Sequence, residues 1–83
     1  MIQDINEVKK SLINILFEYT SNDDINEKSK ITIDSLDIIS LQIDIEDKFN
    51  ISIDNINNRF NWKSFKVNKL LDFVWELILS KNK

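Results

Sequence analysis

Ser35 is the side chain best placed for chemistry, because the sequence puts a hydroxyl nucleophile at the start of a predicted helix. Asp34 before it is a favoured N-cap residue, and the long preceding loop should leave the hydroxyl exposed. An anion esterified there would face unpaired backbone N–H groups and the positive end of the helix dipole. The position therefore suits a phosphodiester. A serine near a helix start is also common without any function, so Asp34-Ser35-Leu36 alone is a weak signal.

The predicted helix at 35–49 has more apolar surface than one core contact needs. One stripe, at steps of three and four, contains Ile38, Leu41, Ile45 and Phe49. A second stripe, rotated away from the first, contains Leu36, Ile39 and Ile43, and the remaining positions include Asp37, Asp44, Glu46 and Asp47. We predict that the first stripe packs in the core and that the second, rimmed by carboxylates, is recognised by partner proteins. The alternative is a central helix buried on both sides.

The chain contains no Cys, His, Gly or Pro. Disulfides, thiolate or imidazole metal sites, and Cys or His nucleophile–base pairs are therefore excluded. The scattered carboxylates form no catalytic constellation, so we predict a non-enzymatic protein without a metal site. No apolar run approaches a membrane span, and the N-terminus lacks a basic-then-apolar signal, so the expected location is cytoplasmic.

The 83 residues are enough for one domain, 1–83. Apolar residues recur at steps of three and four over 4–19, 35–49 and 67–80, which predicts three helices. A short fourth helix is predicted at 55–60. The segment 20–34 is predicted to be a loop anchored on the core by Ile25, Ile31 and Ile33. The fold class expected from this pattern is all-α: a small antiparallel four-helix bundle without strands.

Charge is distributed unevenly along the chain. Residues 1–54 contain 12 acidic and 5 basic residues, a net charge of −7, whereas residues 55–83 have a net charge of +4. The acidic part argues against nucleic acid as a partner, despite a basic, aromatic segment at 59–69. That segment contains Arg59, Phe60, Trp62, Lys63, Phe65, Lys66 and Lys69. We predict that Trp62 is partly exposed and braces the segment together with Phe65, and that the basic side chains meet an acidic partner or are solvated.

The segment 34–49 resembles the second helix of acyl carrier proteins, in register and without a gap. The shared pattern is Asp34-Ser35-Leu36-Asp37, then apolar residues, the acidic pair Glu46-Asp47, and Phe49 fourteen residues after Ser35. Elsewhere the likeness is looser: Ile31 stands where the family has Leu, and Val67 and Leu70 match its entry to the last helix. The resemblance covers nearly the whole chain.

The resemblance implies a helical carrier that performs no reaction itself. Ser35, flanked by Asp34 and Leu36, would receive 4′-phosphopantetheine from coenzyme A through a separate, Mg²⁺-dependent phosphopantetheinyl transferase. The thiol of this arm would hold acyl groups as thioesters for fatty-acid or polyketide-type biosynthesis. Partners would be the transferase and the acyl- or aminoacyl-loading and biosynthetic enzymes, with no nucleic acid, no membrane and a monomeric chain. The partner-facing residues would be Asp37, Ile39, Ile43, Asp44, Glu46 and Asp47.

Three features depart from the family pattern. Thr32 replaces a Gly three residues before the modified Ser, Ser40 replaces a Glu, and the spacing from Phe49 to Val67 is longer than in fatty-acid carriers. These departures indicate a dedicated carrier of a specialised pathway. They leave open an aminoacyl, peptidyl or D-alanyl carrier. A function of another class also stays open, namely a helical interaction module in which Asp-Ser-Leu is accidental.

Overall fold

The structure is a computed structural model that describes residues 4–20, 24–53 and 60–81. Its elements, in order, are α1 (Ile5–Leu16), β1 (Lys30–Thr32), α2 (Ser35–Phe49), β2 (Ser64–Lys66) and α3 (Val67–Lys81). Helix α1 contacts both α2 and α3, and β1 pairs with β2. The three helices predicted at 4–19, 35–49 and 67–80 are confirmed, although residues 17–19 form a turn after α1.

Each of the first two helices begins at an aspartate. Asp4 caps α1 by accepting from Asn6 N, and Asp34 caps α2 by accepting from Leu36 N. These carboxylates satisfy N–H groups that have no partner within the helix. Helix α2 ends at Asn50, which adopts the left-handed conformation with φ 54°. In a chain without Gly, Asn tolerates that conformation best.

The prediction of an all-α, four-helix bundle without strands is wrong. Strands β1 and β2 form a two-stranded antiparallel sheet in the register Lys30–Lys66, Ile31–Phe65 and Thr32–Ser64. The local pattern has a period of two: Ile31 is buried between exposed Lys30 and Thr32, and Phe65 is buried between half-buried Ser64 and exposed Lys66. A search for helical periodicity passes over so short an alternation. The predicted helix at 55–60 lies outside the described residues, except for Phe60, which is not helical.

Backbone hydrogen bonds extend the strand pairing at both ends. Ile33 N donates to Lys63 O at 2.9 Å, and Val67 N donates to Ser29 O at 3.0 Å. The segments that lead into α2 and α3 are therefore fixed to each other through the sheet. This places the first residues of α2 beside the turn that precedes β2.

The core receives side chains from every element and from the connections between them. Val8, Leu12 and Leu16 of α1 recur every four residues and are fully buried. They meet Leu41 and Ile45 of α2 and the buried face of α3 in one cluster. Ile25, Ile31 and Ile33 belong to the same cluster, which confirms that they anchor their segment on the core. The predicted loop 20–34 is wrong at 30–32, because Ile31 lies in β1.

Candidate functional site

Ser35 occupies the first position of α2 and is exposed to solvent. Asp34 holds this helix start from two sides: its Oδ1 accepts from Leu36 N at 3.1 Å, and its backbone carbonyl accepts from Asp37 N at 2.8 Å. The N-cap predicted at Asp34 is therefore confirmed. Because Asp34 supplies the capping contacts, the hydroxyl of Ser35 is not needed to hold the helix.

The segment before Ser35 is anchored rather than free. Ile31 and Ile33 are buried, with 2% and 3% exposure, and Ile33 N is bonded to the carbonyl of Lys63. Two residues after this anchor the chain enters α2. The site therefore consists of an exposed hydroxyl held on a fixed backbone.

The two apolar stripes of α2 lie on opposite sides of the helix surface, as predicted. Leu41 and Ile45 are fully buried, whereas Leu36, Ile39 and Ile43 are 86%, 66% and 49% exposed. The exposed stripe starts directly after Ser35 and continues for two turns. Exposure of such large apolar side chains to water is unfavourable, and burial against a partner would remove this cost. The stripe is therefore a candidate contact surface.

The four acidic residues assigned to the partner surface are not equivalent. Asp37 and Asp47 are exposed. Asp44 is half-buried and accepts the hydroxyl hydrogen of Tyr19, and Glu46 Oε2 accepts from Ile53 N at 2.7 Å. Asp44 and Glu46 are therefore engaged within the chain, and Asp37 and Asp47 are the freely accessible carboxylates of the four. The sequence offered no signal for either internal contact, because their partners are 25 and 7 residues away.

Tyr19 joins the turn after α1 to the middle of α2. Partial burial, followed by the hydrogen bond to Asp44, raises the pKa of Tyr19 to about 12. The negative charges of Asp44, Glu18 and Asp37 contribute in the same direction. The phenol is therefore held as a neutral donor, and it fixes the half-buried carboxylate of Asp44, the residue after Ile43 of the exposed stripe.

Trp62 is buried, with 7% exposure, so the prediction that it is partly exposed is wrong. Its ring packs edge-on against Phe60 and Phe73, with centroids 4.9 Å and 5.7 Å away, and Phe65 completes the cluster. Within the described part of the chain, the buried Nε1 of Trp62 has no hydrogen-bond partner. Trp62 and Phe65 therefore belong to the core, whereas Lys63, Lys66 and Lys69 are exposed basic residues of this segment. Arg59 lies outside the described residues.

Two shallow grooves lie away from Ser35. One, of about 470 Å³, is lined by residues of α1 together with Lys48 and Phe49. The other, of about 520 Å³, lies between Asn50–Ser52 and the end of α3 near Leu77. Both involve the C-terminal end of α2, about 20 Å along the helix from Ser35 at 1.5 Å per residue.

In the described ranges no three carboxylates come together as a metal site. Over the same residues, no helix has the length and apolar character that crossing a membrane requires.

Comparison with known proteins gives no relative. No protein-family model, curated protein or solved structure matches this chain.

Proposed function

We propose that this protein is an acyl carrier whose Ser35 bears 4′-phosphopantetheine. The observation that carries the proposal is the exposed Ser35 hydroxyl at the first position of α2, directly before a stripe of exposed apolar residues. A modified serine must reach an active site in another protein, and the helix that follows it must be recognised there. Ser35 is exposed on an anchored backbone, and the exposed apolar stripe beside it could be the recognised surface.

The residues around Ser35 fit a phosphodiester. The hydroxyl lies at the positive end of the α2 dipole, and Ser35 is exposed to solvent. In the attachment step, Ser35 Oγ would form a bond to the β-phosphorus of coenzyme A, the bond from that phosphorus to 3′,5′-ADP would break, and the hydroxyl proton would pass to a base on the transferase. When bound, the arm supplies a thiol that carries acyl groups as thioesters. Asp34 would keep the helix start in place during modification.

The buried position of Trp62 bears on the cargo. The Trp-containing insert by itself favours an aminoacyl or peptidyl carrier, but Trp62 and Phe65 pack in the core and so do not form a contact surface. The acidic residues that remain exposed on α2, Asp37 and Asp47, match the acyl type. We therefore propose acyl cargo, a cytoplasmic location, and the transferase and biosynthetic enzymes as partners.

Loading by a promiscuous phosphopantetheinyl transferase tests the proposal. After incubation with coenzyme A and Mg²⁺, we expect the intact mass to increase by one phosphopantetheine. Ser35→Ala should abolish the increase and leave the circular dichroism spectrum unchanged, because the hydroxyl makes no described structural contact.

Ser40→Ala is the matched control, since Ser40 is an exposed serine on the same helix. It should be loaded like the wild type. Modification of the Ser35→Ala chain would place the site elsewhere. An unmodified wild-type chain would leave the exposed stripe as the surface of a helical interaction module.

A further inference from the structure

The outward side of the two-stranded sheet brings together lysines from distant parts of the sequence. We call this side the ribbon face; it consists of Lys30, Thr32, Ser64 and Lys66. Lys30 and Lys66 are direct cross-strand partners, and both are exposed. The adjacent pair, Ser29 and Val67, is hydrogen-bonded. Because bonded and non-bonded pairs alternate in an antiparallel ladder, the two lysines form a non-hydrogen-bonded pair, in which Cα atoms are only about 4.5 Å apart.

Local interactions disfavour this arrangement of charge. Like charges directly opposite each other destabilise a strand pair. No ion pair of the described residues involves Lys30 or Lys66, and the neighbouring carboxylate of Glu27 is paired with Lys9 at 3.5 Å. Lys66 and Lys69 also flank the positive end of α3, whose first turn has no acidic residue. Among the described residues, the positive charge is thus concentrated without an ion-pair partner for Lys30 or Lys66.

The geometry of the α3 start restricts the kind of anion that fits. The backbone N–H groups of Val67 and Asn68 donate to the carbonyls of Ser29 and Glu27, at 3.0 Å and 2.9 Å. These N–H groups are therefore not available to cradle a small anion. An anion on this side would therefore be met largely by the ammonium groups of side chains, which suits several separate carboxylates on a surface better than one phosphate.

We propose that the ribbon face is a docking surface for a carboxylate-rich patch on a partner protein. Lys30 and Lys66 would be the central contacts, with the exposed Lys28 and Lys63 at the rim. An acidic patch placed over the lysine pair attracts both ammonium groups and offsets their mutual repulsion.

A protein fits this face better than a nucleic acid or an anionic membrane. Residues 1–54 have a net charge of −7, and the exposed carboxylates of α2 follow directly after the ribbon. An extended polyanion that covers the lysines would also meet this negative surface. A local acidic patch would touch the lysines and avoid the carboxylates.

The ribbon face lies close to the proposed attachment site. Thr32 is three residues before Ser35, so their Cα atoms are at most about 10 Å apart. A partner that binds the exposed stripe of α2 and the ribbon face together would meet opposite charges on the two sides of Ser35. That arrangement would set the orientation in which this protein binds its partner. The identity of the partner as an enzyme acting at Ser35 rests on the proposed function, whereas the docking surface does not.

Binding of poly-L-glutamate to the Ser35→Ala chain tests the docking surface independently of any modification. We expect chemical-shift changes in an amide nitrogen–proton NMR titration at residues 28–32 and 63–66. Lys30→Gln with Lys66→Gln should weaken binding roughly five- to thirtyfold, since each exposed ion pair contributes modestly. The melting temperature of this double variant should be equal to or higher than that of the parent, because the variant removes a repulsion.

Lys10→Gln with Lys48→Gln is the matched control, because it also removes two exposed lysines, on α1 and at the end of α2. It should retain most of the affinity. Equal weakening by both variants, or no binding of poly-L-glutamate, overturns the proposal. Tighter binding of an oligothymidylate or of phosphatidylglycerol vesicles at the same ionic strength also overturns it, in favour of a phosphate polyanion. None of these outcomes depends on loading at Ser35, so the docking surface and the proposed carrier function are tested separately.

Discussion

Individual polar contacts give residues of one chemical type different roles. Asp44 and Glu46 accept hydrogen bonds from Tyr19 and from Ile53 N, whereas Asp37 and Asp47 face solvent on the same helix. A carboxylate engaged inside the chain holds elements together, and one in solvent is available to a partner. The contact of Tyr19 is the more informative of the two internal ones, because the phenol also titrates.

Tyr19→Phe should change how stability depends on pH. The folded state raises the pKa of Tyr19 to about 12, above the usual value near 10 in an unfolded chain. The protonated phenol therefore stabilises the fold below pH 10, and this contribution is lost as the pH rises from 10 to 12. At pH 7 the variant should be less stable by about 1.5–3 kcal/mol, the usual contribution of a hydrogen bond to a charged group.

Urea unfolding of both proteins at several pH values between 7 and 11.5 measures the effect. The difference in unfolding free energy between wild type and Tyr19→Phe should shrink above pH 10. All other groups are common to the two proteins, so their contributions cancel in this difference. A difference that stays constant across this range would show that the phenol does not lose its contact on ionisation.

Among the elements, α2 has the clearest division between a buried and an exposed apolar stripe. One stripe of the helix belongs to the core and the other is exposed, and the two are separated by rotation of the backbone alone. Two helical steps rotate a side chain by about 200°, so Ile43 and Ile45 must point to different sides. Substitutions of these two residues therefore distinguish an effect on stability from an effect on the proposed contact surface.

Ile45→Asp should unfold the domain, and Ile43→Asp should not. Ile45 is fully buried, and an unpaired carboxylate in its place costs several kcal/mol, out of a total of about 5–15 kcal/mol for a typical domain. Ile43 is 49% exposed, so an Asp there remains hydrated. Thermal unfolding followed by circular dichroism should show a cooperative transition only for Ile43→Asp. Its loading rate by the transferase should fall if the stripe is the contact surface.

Two results would contradict this assignment. If both variants unfold alike, the stripe with Ile43 supports the core. If Ile43→Asp folds and is loaded at the wild-type rate, the stripe is exposed but takes no part in the contact.

The sequence predicted the helices well and missed the strands for a physical reason. The helical stripes extend over 12 to 15 residues, so their period of three to four repeats several times. Each strand has three residues, and its alternation of buried and exposed side chains hardly repeats. Pairing of Lys30 with Lys66 also joins residues far apart in sequence, which no local pattern reveals. The β-branched run Ile31-Thr32-Ile33 was the available signal.

At the scale of the whole molecule, one core connects the helices, the sheet and the loops. Trp62 contacts Phe65 of β2 and Phe73 of α3, and so joins the turn before β2 to the last helix. Burial of Trp62 depends on tertiary packing between these segments, which no local sequence pattern reveals. The prediction that Trp62 is partly exposed is wrong for this reason. Ser35, in contrast, could be placed from sequence because its exposure follows from a local feature, the start of a capped helix.

The connected core leads us to expect that the sheet and the helices unfold together. Trp75→Phe leaves Trp62 as the only tryptophan, and its fluorescence then reports the aromatic cluster beside the sheet. In urea, this fluorescence and the far-ultraviolet circular dichroism of the helices should give the same midpoint and slope, as a two-state transition requires. The matched variant Trp62→Phe leaves Trp75 of α3 as the reporter and should also give coincident curves. If the fluorescence of Trp62 changed at lower urea than the helical signal, the sheet and its cluster would open separately. The backbone before Ser35 would then lose its anchor while α2 remained folded.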